Sequence, residues 1–182
     1  NVLDNIAFFG NSFLSQDEPN CENALEGLPA SFIKMSSIPG VEIEEQKIRE
    51  LFGNKLISFM NSPGQEKIVK ENSFGQFDII HFSTHGLLLE NHPKFSVLIL
   101  PLNKEGTEDG VLRADEISQL TLKTSVTFLS SCKSGLGKNI TGEGIYGLSR
   151  SFLMAGARSL VVSLWPIDDI VSGFAIEHFY KN

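Results

Sequence analysis

Three apolar runs in this chain end in residues able to do chemistry. Val126-Thr127-Phe128-Leu129 runs into Ser130-Ser131 and then Cys132, followed by Lys133-Ser134-Gly135-Leu136-Gly137. Phe77 to Phe82, with Phe77, Ile79, Ile80 and Phe82 apolar, runs into Ser83-Thr84-His85-Gly86. Ser159 to Leu164 runs into Trp165-Pro166-Ile167-Asp168-Asp169. Short, nearly continuous apolar runs predict strands buried in a parallel sheet. Chemistry in such sheets collects just beyond the carboxyl ends of the strands. If the three strands are neighbours, a thiol, an imidazole and carboxylates share one rim. A thiol and an imidazole that converge in space form a nucleophile with its acid–base partner, whatever their separation in sequence.

The glycines have a place in that chemistry. Attack on a carbonyl creates an oxyanion, which needs backbone N–H groups that can approach unobstructed, and the amides of Gly86 and Cys132 are the natural donors. A helix starting beyond Gly142 would favour the thiolate. Taken singly, a cysteine after a buried strand is often a small packed residue, and a histidine before glycine is often a turn residue. It is their joint occurrence on strand ends that carries weight. His81 lies inside its strand and reads as a hydrogen-bonded core histidine. His92 and His178 carry no signal, and Cys21, between Asn20 and Glu22 in a polar stretch, reads as an incidental loop thiol.

Other chemistries fail on the letters. His81 and His85 are spaced like the paired histidines of a zinc protease, but Phe82 stands where that motif needs Glu. On a strand, residues four apart lie roughly 13 Å from each other, too far to share a zinc at about 2 Å per ligand. Gly135-Leu136-Gly137-Lys138 misses the phosphate-loop spacing at both ends, with Cys132 at the first glycine and Asn139 at the Ser/Thr position. Gly147-Leu148-Ser149-Arg150-Ser151 lacks the last glycine of a serine nucleophile elbow and falls inside a helical pattern.

The elements that must position these residues alternate. Asn5 to Phe9, closed by Gly10, predicts a first strand, and 11–28 an irregular connection. Val41 to Phe52 predicts an amphipathic helix stopped by Gly53, and Leu56 to Met60 a strand. Ser62-Pro63 opens a short helix reaching about Asn72. Phe95 to Leu100 predicts a strand, and Leu112 to Leu120 a short helix. Thr141 can cap a helix from about Gly144 to Ala155, ended by Gly156. A last helix begins at Asp168 or Asp169. Strands and helices at this spacing imply a mostly parallel sheet covered on both faces.

The bulk numbers agree with one soluble globular domain: 182 residues, 41% hydrophobic and 20% charged. A net charge of −7 with scattered acids offers no basic face for direct contact with nucleic acid. Two cysteines make no disulfide framework and fit a reducing, cytoplasmic compartment. No window approaches the roughly 18 apolar residues of a membrane span, and the start shows no signal pattern. The opening Asn-Val-Leu-Asp and a last helical pattern that stops at Asn182 predict a C-terminally incomplete piece of a longer protein.

His81-Phe82-Ser83-Thr84-His85-Gly86, Phe128-Leu129-Ser130-Ser131-Cys132-Lys133-Ser134-Gly135-Leu136-Gly137, Gly142-Glu143-Gly144, Ala155-Gly156-Ala157 and Ser163-Leu164-Trp165-Pro166-Ile167-Asp168-Asp169 together resemble the CHAT domain. This is a caspase-like, separase-related cysteine peptidase family often fused to tetratricopeptide repeats, and the likeness runs from about Leu28 to the end. The resemblance implies a caspase-like three-layer α/β/α sandwich and a Cys–His dyad without metal or other cofactor. In it, Cys132 is the nucleophile and His85 the general acid/base. It implies an endopeptidase acting on a protein substrate and quiet until a partner or fused module activates it. Some relatives work in bacterial cell-death or RNA-guided defence systems. Asp168 or Asp169, beside Trp165, would favour Lys or Arg before the cut, as in separase; the plainer role for one of them is to cap the last helix. Lys133-Ser134 replaces the Glu-Thr often found after the family's cysteine, and the chain stops before the final helix and strand usual there. The alternative function is a catalytically silent scaffold that keeps the fold for interaction.

Overall fold

The computed structural model describes residues 5–12, 38–71, 74–87, 93–103, 106–130, 143–163 and 167–181. Cys21, Cys132 with the glycines after it, Thr141 and Trp165 lie outside the described residues, as does most of the 11–28 connection. The elements are β1 (Ile6–Gly10), α1 (Gly40–Phe52), β2 (Leu56–Ser58), α2 (Gln65–Glu71), β3 (Ile79–Ser83), β4 (Gly86–Leu87), β5 (Val97–Ile99), β6 (Val111–Arg113), α3 (Ala114–Ile117), β7 (Val126–Leu129), α4 (Glu143–Met154), β8 (Leu160–Val162) and α5 (Asp169–Lys181).

Five strands form one sheet in the order β2-β1-β3-β7-β8, and every neighbouring pair in it is parallel. Alternation along the strands feeds two cores. Ala7, Phe9, Ile80, Phe82 and Leu129 pack under α2, α3 and α4 with Val69, Ile117, Leu148 and Phe152. Ile6, Phe8, Ile79 and Phe128 pack under α1 and α5 with Val41, Ile48 and Ile176. The result is the expected three-layer α/β/α arrangement. Each fully buried phenylalanine or isoleucine contributes about 1.5–3 kcal/mol, which makes the central strands the firmest part of the molecule. Among the described residues no helix is long and apolar enough to cross a membrane.

The structure departs from the sequence expectations at four places. Val97–Ile99 does not join the parallel sheet; it pairs antiparallel with Gly86–Leu87 and Val111–Arg113 in a second, three-stranded sheet. The helix expected over Leu112 to Leu120 shrinks to Ala114–Ile117, because Val111–Arg113 is spent on β6. The helix expected from Ser62-Pro63 starts at Gln65, after a turn in which Gly64 takes a φ of 76°. The strand expected to be buried at Ser159 to Leu164 is the half-buried edge strand β8. The predicted helix stops hold. Gly53 ends α1 with a φ of 54°, and Gly156 follows α4 with a φ of 107°, its backbone so close to Leu122 that a Cβ would lie 2.3 Å from that carbonyl oxygen.

Candidate active site

The condition set by the sequence is met: β3, β7 and β8 are consecutive, parallel neighbours, so their carboxyl ends open on the same side. β3 stops at Ser83, two residues before His85. β7 stops at Leu129, but pairing continues one residue further, with the Ser130 N–H donating to the Phe82 carbonyl at 2.9 Å. On the other side of β3, the Asn11 N–H donates to the Ser83 carbonyl at 3.0 Å.

The segment after β3 is clamped by β5. The Thr84 hydroxyl donates to the Ile99 carbonyl, and the Ile99 N–H donates to the His85 carbonyl at 2.8 Å. His85 itself is buried, 3% exposed. Gly86 is opposite Leu98 in the antiparallel pair. Because the ladder bond runs between their neighbours, Ile99 and His85, Gly86 and Leu98 form a non-hydrogen-bonded pair, and the Gly86 amide is turned away from β5.

Asp168 is exposed, and its Oδ1 accepts the N–H groups of Ile170 at 3.0 Å and Val171 at 3.3 Å, capping α5. Asp169 is the first residue of α5. Cys132 and Trp165 lie outside the described residues.

His81 is hydrogen-bonded in the core, as its place inside the strand suggested. Its ring stacks on Phe128 at 5.1 Å between centroids. Nε2 is 3.3 Å from Glu44 Oε2 and Nδ1 is 3.0 Å from the Tyr180 hydroxyl. An ionised carboxylate only accepts, so Nε2 carries a hydrogen toward Glu44. Burial, and then the charge of Glu44, hold the Tyr180 phenol well above its usual pKa, so it is present as a donor.

Glu44 is the residue that reading the sequence missed. It is 2% exposed on the inner face of α1. Its Oε1 accepts the hydroxyls of Ser130 at 2.5 Å and Ser172 at 2.6 Å. Its Oε2 accepts the Ser83 hydroxyl at 2.6 Å as well as the His81 ring. Burial pushes this carboxyl up, but the hydrogen bond and charge of His81 and the hydroxyls of Ser130 and Ser172 outweigh it, and its pKa ends below the ordinary value. One signal was present: Val41, Glu44 and Ile48 fall on one helical stripe, with a carboxylate at a core position.

The chain is similar in sequence to known proteins. Residues 7–182 match the family model of the CHAT domain. Mouse (Mus musculus) tetratricopeptide repeat protein 28 is 25% identical over 182 aligned residues, covering 80% of this chain and 7% of that protein. The human (Homo sapiens) protein of the same name is 35% identical over 72 residues, covering 40% of this chain and 3% of its own length. This chain therefore spans only a small part of the curated relatives it matches.

Proposed function

The chain belongs to the CHAT domain family, whose model covers residues 7–182, and on that premise we propose that it is a cysteine endopeptidase working through Cys132 and His85. One observation carries the reading. β3 and β7 are parallel neighbours, and each pair in register between them, from Ile79 and Val126 to Phe82 and Leu129, has the same separation in sequence as His85 and Cys132. Two side chains at matching offsets beyond adjacent parallel strands are suited to act together on one carbonyl.

In this reading the Cys132 thiolate bonds to the scissile carbonyl carbon, and the displaced π electrons settle on the oxygen. The amides of Gly86 and Cys132 hold that oxyanion; the outward turn of the Gly86 amide supports its part. As the C–N bond breaks, His85 gives its proton to the leaving amine. A water that loses a proton to His85 then attacks the thioester, releasing the carboxylic acid and the thiol. Asp168 or Asp169, near Trp165, would line the pocket for the residue before the cut and favour Lys or Arg. No cofactor takes part.

The burial of His85 supports a site kept quiet until a regulatory module or partner opens it. The name of the relatives points to tetratricopeptide repeats as that module; a defence complex is the alternative setting. The proposed compartment is the cytoplasm, where both thiols stay reduced, with no direct nucleic-acid or membrane contact. The same burial favours a second reading, a silent scaffold, in which Cys132 would be alkylated no faster than Cys21.

Cleavage mapping with the full-length protein tests the proposal. Cys132→Ala should abolish cleavage, and His85→Ala should lower kcat by about 10²–10⁴-fold. Cleavage undiminished in Cys132→Ala would overturn it. Matched peptides with Arg, Met or Asp before the cut test the pocket, and no preference for Arg would remove the acidic residues from it.

A further inference from the structure

The hydrogen bonds of Glu44 fall where the proposed chemistry needs rigidity. Ser83 stands two residues before His85, and Ser130 two residues before Cys132. The same carboxylate takes both hydroxyls, one on each oxygen, at 2.6 and 2.5 Å. Bonds this short to a charged acceptor are among the stiffest a protein makes. The two serines are already joined through the backbone, where the Ser130 N–H reaches the Phe82 carbonyl. The side-chain bridge therefore closes a small ring across the last rung of β3 and β7.

We infer that Glu44 is a positioning residue for the site: it fixes the spacing and orientation of the two strand ends that lead to His85 and Cys132, without touching substrate. The inference rests on the peptidase reading of those two residues. Stability alone is a poor reason for such a cluster, since replacing a whole buried polar network by well-packed apolar residues is often neutral or stabilising. What the carboxylate supplies is geometry, and a displacement of about 1 Å in an active site can cost about 100-fold in rate.

Ser172 provides the internal control. Its hydroxyl donates to the same Glu44 oxygen as that of Ser130, at 2.6 Å, but it sits on α5 and leads to neither residue of the dyad. Ser83→Ala, Ser130→Ala, Ser172→Ala and the size-preserving Glu44→Gln are compared in the full-length protein. The readouts are iodoacetamide labelling of Cys132 relative to Cys21, kcat and KM on a cleaved peptide, and urea unfolding. Ser83→Ala, Ser130→Ala and Glu44→Gln should slow Cys132 labelling and kcat by about tenfold with KM little changed, while Ser172→Ala stays within about twofold of wild type. Stability should fall alike in the three serine variants. Equal labelling rates across the three, at any level, overturn the positioning role and leave the peptidase reading standing. Wild-type Cys132 labelling no faster than Cys21 overturns the peptidase reading itself.

Discussion

Two charged side chains organise opposite sides of the central sheet, and they do it differently. Glu44, on α1, is an almost fully buried anion served by three hydroxyls and an imidazole. Lys70, on α2, is a quarter-exposed cation gripped by the carboxylates of Glu66 at 2.7 Å, Glu108 at 2.5 Å and Glu116 at 2.7 Å. The first draws its partners from the ends of β3 and β7 and from α5. The second ties α2 to α3 and to the stretch before β6. Coulomb attraction with water close by suffices to staple surface elements. Where two strand ends must be held without a competing solvent, the chain uses directional bonds to one buried acceptor.

Removing each charge should show the contrast at its largest. Glu44→Ala strands several buried donors and is expected to lower the unfolding free energy by on the order of 3–5 kcal/mol. Lys70→Met leaves partners that water can reach, apart from the buried Glu66 carboxylate, and should cost about 1–2 kcal/mol. Urea unfolding at low and high salt sharpens the comparison. The Lys70 effect should shrink as the Debye length falls from about 10 Å at 0.1 M to about 3 Å at 1 M, and the Glu44 effect should not. Equal salt dependence would break the distinction between the two hubs.

A smaller effect separates them by pH. The Glu44 carboxyl is depressed, so its contribution is complete above the unfolded glutamate value of about 4.3 and is lost as pH falls through its lower native value. Burial pulls the Lys70 ammonium down, but Glu108, Glu116 and Glu66 outweigh it and raise its pKa. Its contribution is complete below the unfolded lysine value of about 10.4 and is lost as pH rises through the higher native one. The stability gap between wild type and Glu44→Gln should therefore close on the acid side, and that between wild type and Lys70→Met on the alkaline side. Gaps that close at the same end would contradict these assignments.

The sequence was most readable where one physical rule acts alone. Phe77 to Phe82 and Val126 to Leu129 are nearly all apolar because both faces of β3 and β7 are covered, and the glycines that stop α1 and α4 occupy positive φ. The adjacency of β3, β7 and β8 could be stated only as a condition, since strand order is settled by packing across the whole sheet. A run such as Val97–Ile99 is equally apolar in a parallel or an antiparallel sheet, which is why the second, antiparallel sheet was not foreseen. Val111–Arg113 is too short to show a period of two and merges into the helical pattern after it. Glu44 escaped notice because the stripe on α1 was read by its apolar letters, whereas the structure fills one of its places with a carboxylate whose partners are up to 128 residues away.

The pairing of Cys132 with His85 is tested most directly by the pH dependence of iodoacetamide labelling in wild type and His85→Ala. The account predicts that wild-type Cys132 reacts well ahead of Cys21, with a thiol pKa below the ordinary value of about 8.5, and that His85→Ala returns it to that value. Identical profiles for both cysteines, unchanged by His85→Ala, would contradict it.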